Sequence, residues 1–158
     1  MSDSIEQLKK LARGYVPTKN VMQLATCADN QPYAVNIHYY SDDDLNIYWI
    51  SAEGKRHSLE IAKNNKACAA IKIHENTTDE DWVVGISIEG EAELLGLNFS
   101  EDVAKGFQAK LNKTDEAMKA ILDGSAPYKF YVLRPKTITL YDNKSFPDSP
   151  RKTFSVAD

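Results

Sequence analysis

The sequence predicts a mainly β fold: an antiparallel barrel of about six strands with helices outside it. Three observations lead there. Short apolar runs follow one another through turn residues, as hairpins require. A long helical stretch comes late, near residues 100–124, so strands and helices do not alternate as a doubly wound sheet needs. Finally, 158 residues with 42% apolar and 27% charged content suit one domain, 1–158, with one sizeable core.

The elements follow in order. Ser4 with Gln7 three residues on forms a capping box, so a first helix runs to about Gly14, and Pro17 stops it. Residues 21–27 (VMQLATC) read as a strand, 28–32 as a turn and 33–40 (YAVNIHYY) as the hairpin partner. Ser41 and the Asp42–Asp43–Asp44 triplet lack regular ligand spacing and a closing Glu. They read as a solvated turn rather than a calcium loop. A strand at 45–51, a helix at 56–65, a strand at 67–74 and a polar loop at 74–81 come next. The strand at 82–95 carries Gly85 and Gly90, where bulges are expected. Ser100 caps a helix, a second helical piece runs from Thr114 to Gly124, and 129–133 and 136–141 are the last strands. The tail, 142–158, is polar and proline-punctuated.

Composition removes several function classes. A net charge of −4 and a pI near 5.4 argue against nucleic-acid binding. No apolar run is long enough to span a membrane, and the N-terminus lacks the apolar segment of a signal peptide, so a cytoplasmic location is expected. Cys27 and Cys68 form no CxxC pair and read as two free thiols. His38, His57 and His74 share no metal-ligand spacing, so no metal site is expected.

One stretch carries chemistry: IYWISAEGKRHSLEIAKNN, residues 47–65. A short apolar strand ends at Ser51, turns through Gly54, and meets Lys55, Arg56 and His57 at a helix start. A helix N-terminus offers unpaired N–H groups and partial positive charge, and the cations add to both. The pattern reads either as a phosphate-monoester cradle or as a solvated basic turn.

The segment LATCADNQPYAVNIHYYSDDDLNIYWISAEGKRHSLEIAKNNKACAAI, with ISIEGEAELL and YKFYVLRPKTITLYDN after it, resembles the pyridoxamine 5′-phosphate oxidase-like FMN-binding split-barrel family. The likeness runs from about Val21 to Asn143. It implies a six-stranded antiparallel split barrel that dimerises, with FMN in a cleft at the subunit interface. It implies that Arg56 and His57 grip the phosphate beside Lys55, with Ser51 donating from the strand end and Ile50 next to it. Ala34, Val35, Asn36 and Ile37 match the strand bordering the isoalloxazine, Asn36 adding a side-chain bond. Gly85 stands where biosynthetic members place a glutamine.

The resemblance implies C-terminal aromatic and Arg-x-His features in a true pyridoxamine-phosphate oxidase; the tail here, NKSFPDSPRKTFSVAD, contains no histidine, and that departure argues against vitamin B6 oxidation. It reads instead as a strap across a neighbouring subunit, with Arg151 facing the flavin or its substrate. The resemblance thus implies an FMN-dependent oxidoreductase acting on a small molecule or nicotinamide donor. The alternatives are a non-catalytic flavin-binding stress or storage protein, a deazaflavin protein, or a haem-binding relative using His38 or His74. Trp49 and Trp82 read as barrel or interface packing.

Overall fold

The computed structural model describes residues 4–74 and 83–156. The polar loop expected after His74, and Trp82, lie outside them. Helix α1 (Ile5–Tyr15) starts at the Ser4 cap, where both hydrogen bonds of the capping box form. A short 3₁₀ turn, Val16–Thr18, carries Pro17. Strands β1 (Val21–Ala28) and β2 (Gln31–His38) form a hairpin whose turn residues, Asp29 and Asn30, both take positive φ. That is the two-residue turn Asx residues favour between twisted strands.

Strand β3 (Tyr40–Ser41) and β4 (Ile47–Ala52) close a second hairpin. Asp42 holds its turn, accepting from the backbone of Asp44 and Asn46, the Asn46 amide and the Tyr48 hydroxyl. Its carboxylate is spent on the turn. Helix α2 (Arg56–Lys63), β5 (Lys66–Lys72) and β6 (Val84–Gly96) follow. Helices α3 (Glu101–Lys110) and α4 (Asp115–Leu122) are capped by Ser100 and Thr114. The long β7 (Tyr128–Asp142) and the short β8 (Arg151–Ser155) complete the chain.

All pairings are antiparallel, in the order β2-β1-β5-β6-β7-β4-β3, with β8 on β7. Only Tyr39 separates β2 and β3 in the chain, yet they end the path at opposite sides. The sheet therefore curls back on itself into a half-barrel. Its interior holds Met22, Leu24, Trp49, Tyr131, Leu133 and Leu140, with Trp49 stacked on Tyr131 at 5.6 Å. A second cluster, around Phe107 and Phe130, packs α3 and α4 onto the outside. Among the described residues no helix is long and apolar enough to cross a membrane.

The strand count corrects the expected six: there are eight among the described residues. The 33–40 strand breaks at the buried Tyr39, whose N–H donates to the Asn20 carbonyl and lets the chain change partners from β1 to β4. The tail adds β8. In the opposite sense, 129–133 and 136–141 fuse into β7, because β6 pairs along both halves. The chain does not turn at Arg134–Pro135 but bulges just after it, at Lys136: Glu89 pairs with Thr137 and Gly90 with Pro135, leaving Lys136 as the extra residue. A Cβ on Gly90 would overlap the Arg134 carbonyl, so this position needs glycine. Gly85, also expected to bulge, pairs regularly.

The tail is another correction. It returns along its own chain as β8 and sinks Phe154 into the main core at 5% exposure. Asp142, buried, accepts from the Tyr15 hydroxyl and from the backbone of Lys144 and Ser145. Alternation explains what the polar composition hid: one side of RKTFS faces solvent, and Phe154 alone is buried.

Candidate functional site

Strand β4 ends at Ala52, and a three-residue connection delivers the chain to α2 with Lys55 as its N-cap. Lys55 offers no side-chain acceptor and the first turn contains no acidic residue. The other three α-helices are each capped by a Ser or Thr side chain. Among the described residues the first N–H groups of α2 thus have no capping side chain, as an anion-binding helix start requires.

The predicted residues divide into two layers there. Lys55 and Arg56 are exposed. Beneath them Ser51 and His57 are 6% and 7% exposed, with the Ser51 hydroxyl 2.7 Å from His57 Nε2 and Ser58 donating to Ser51 at 3.3 Å. Burial, and then the Lys55 charge, push the His57 pKa below its usual value, so this imidazole is neutral near pH 7. Ser51 and His57 form a polar floor, and the cations form the surface. Ile50 turns away from this floor and packs against the Phe107–Phe130 cluster.

Arg56 is tightly placed. Its Nε donates to Glu60 Oε1 at 2.8 Å, and its guanidinium lies 4.4 Å from the centroid of the Tyr33 ring. Thr26 on β1 donates to the other Glu60 oxygen at 2.6 Å. These hydrogen bonds, Thr26 first and Arg56 next, hold the Glu60 carboxyl below the usual range, so it is ionised. Thr26 sits directly opposite Tyr33 in the β1–β2 register. Thr26, Tyr33, Ser58 and Glu60 join the site through the fold, beyond the residues expected from sequence. An Arg56–Glu60 spacing of four on a helix was one available signal; the register of a two-residue turn at 29–30 was the other.

Along β2 the inward residues Val35 and Ile37 pack against the core, while Ala34 and Asn36 face outward, Asn36 accepting from Gln23. The far edge of β2 pairs with no strand among the described residues. An open edge presents alternate backbone N–H and C=O groups to whatever lies against it. Tyr33, at the start of this edge, is the residue under Arg56. The cationic surface and the open backbone edge therefore adjoin. A cavity of about 410 Å³ lies on the other flank of α2, lined by Glu53, Ser58, Asn65, Glu93, Leu94 and Tyr131 among others.

Residues 8–142 match the family model described as pyridoxamine 5′-phosphate oxidase. The chain belongs to this family. Solved structures similar to this family member include a haem-binding protein from Mycobacterium smegmatis, 18% identical, covering 99% of this chain and 60% of the other, with a TM-score of 0.72. A putative pyridoxamine 5′-phosphate oxidase from Listeria innocua is 16% identical over 84% of this chain and 97% of its own, with a TM-score of 0.60. A protein related to general stress protein 26 from Clostridium acetobutylicum is 14% identical over 96% of both chains, with a TM-score of 0.63. At these identities the likeness is one of fold. The chain spans about three fifths of the M. smegmatis protein. Among curated proteins, none matches.

Arg151 stands apart from this site. It opens β8, exposed, opposite Tyr141, whose ring centroid lies 6.0 Å from the guanidinium. Ser51 pairs with Lys129, twelve residues earlier on β7, or about 40 Å along the strand. His38 is exposed at the end of β2, beside a small cavity shared with Lys110 and Lys113. His74 is half-buried. Cys27 and Cys68 are free thiols, as expected.

Proposed function

We propose that this family member binds FMN and serves as an oxidoreductase between FMN and a small-molecule substrate or nicotinamide donor. One observation carries the reading: an α-helix start without a side-chain cap, topped by Lys55 and a fixed Arg56, beside the open backbone edge of β2. Lys55 and Arg56 would hold the phosphate with the first N–H groups of α2. Ser51 and His57 support that loop from below, and residues 34–37 with the Asn36 amide border the ring. When bound, the flavin supplies the hydride or electron chemistry, which accounts for the lack of an obvious catalytic acid or base.

The reading includes a homodimer with FMN at the subunit interface. Within one chain twelve residues of β7 separate the partners of Ser51 and Arg151, so in this reading Arg151 reaches the flavin from the partner subunit. A two-fold pairing would also cover the open β2 edge. The test is the absorption spectrum of the purified protein before and after adding FMN, followed by NADH or NADPH under anaerobic conditions. A flavin spectrum that bleaches supports the oxidoreductase. A bound flavin that stays oxidised supports a non-catalytic flavin-binding stress or storage protein.

A second reading, haem binding, draws on the description of the M. smegmatis neighbour and on His38, an exposed imidazole with two lysines near it. A Soret band on reconstitution with haem, lost in His38→Ala, would favour it.

A further inference from the structure

Arg56 is held by groups that the helix itself does not supply. An arginine in the first turn opposes the helix dipole. Arg before Glu at a spacing of four is also the weaker order for such a pair. The Arg56 side chain is 49% exposed and the Glu60 side chain only 10%, so this is a half-buried pair rather than a surface one. The hold comes from the sheet: Thr26 fixes one oxygen of Glu60, the other accepts from Arg56 Nε, and Tyr33 covers one guanidinium face. Thr26 and Tyr33 are cross-strand partners, so a single rung of the β1–β2 ladder sets both supports. What remains of Arg56 is its two terminal amino groups, without a partner among the described residues and fixed in one plane.

We infer that Glu60, with Thr26 and Tyr33, is a positioning residue that presents the Arg56 fork to the phosphate of a flavin monophosphate and so sets selectivity for FMN over riboflavin. The inference rests on the FMN reading above. A planar fork that is already ordered loses little freedom on gripping two phosphate oxygens. Glu60 also offsets the Arg56 charge, so selectivity arises from geometry, with Lys55 and the helix start supplying the net attraction. Two consequences separate this role from plain structural support. Glu60→Gln keeps the acceptor for Arg56 and removes the negative charge, so it binds FMN as tightly as the wild type or more tightly. Glu60→Ala releases the fork and lowers FMN affinity by about ten-fold, the size of one charge-assisted contact. Riboflavin, which has no phosphate, is unaffected by either change.

The experiment is a fluorescence titration of the full chain and these variants with FMN and with riboflavin. Thr26→Val, nearly isosteric, serves as the milder variant should Glu60→Ala fold poorly; it should lower FMN affinity about three-fold and leave riboflavin unchanged. A selective loss for FMN in Glu60→Ala or Thr26→Val, with Glu60→Gln retaining affinity, supports the inference. Parallel loss of both ligands, or undiminished FMN affinity in both Glu60→Ala and Thr26→Val, overturns it. A wild type that prefers FMN no more than riboflavin removes the phosphate reading itself, and the inference with it.

Discussion

Arg56 and Arg151 look alike in the sequence: each is followed by a second basic or titratable residue and lies near aromatic side chains. The fold treats them in opposite ways. Arg56 is pinned by a carboxylate, a threonine behind it and a ring beneath it. Arg151 lies on the solvent face of β8, and no carboxylate pairs with it among the described residues. Buried groups hold Arg56 in one place, which the proposed recognition role requires, and nothing comparable among the described residues holds Arg151. In the tail, the buried groups are instead Asp142 and Phe154, and they fix the chain to its own barrel.

Strand β7 joins the two regions, its first half pairing with β4 and its second with β8. Breaking the bulge between them should therefore have the largest effect. Gly90→Ala forces a methyl into the Arg134 carbonyl, and a loss of about 3 kcal/mol or more is expected in urea unfolding. Phe154→Ala should cost about 3 kcal/mol through the cavity it leaves, while FMN affinity changes little. Truncation at Lys144, which would spare the fold if the tail lay on a neighbour, should destabilise the monomer for the same reason. Arg151→Ala should weaken FMN binding by less than about five-fold, the range of an exposed ionic contact, and only in the dimer. A larger effect, measured by titration, would move the tail into the site and dissolve the contrast.

The smallest effect concerns the polar floor. The folded state holds the His57 pKa below its usual value near 6.5, so the unfolded chain binds that proton more readily. Stability from this group is complete above about pH 6.5 and is lost as the pH falls toward the depressed folded value. The difference in urea midpoint between wild type and His57→Gln should therefore shrink from pH 7.5 to pH 5.

Much of this was readable from local chemistry. The Ser4, Ser100 and Thr114 caps, the 29–30 turn and the basic helix start are set by residues within a few positions of one another. The bulge at Gly90 was visible, but not that Pro135 lies opposite it, since that depends on β6 running past both halves of β7. The supports of Arg56 come from positions 26, 33 and 60, brought together by hairpin register and helix docking. β8 is not legible in the sequence because a strand with one buried residue has almost no apolar pattern.

In the proposed function the start of α2 holds a phosphate through Arg56. Titrating the wild type and Arg56→Ala with FMN and with riboflavin tests it most directly. Removing one charge-assisted contact of roughly 1.5–3 kcal/mol should lower FMN affinity about ten-fold or more and leave riboflavin affinity where it was. Equal FMN affinity in the two proteins would contradict the account.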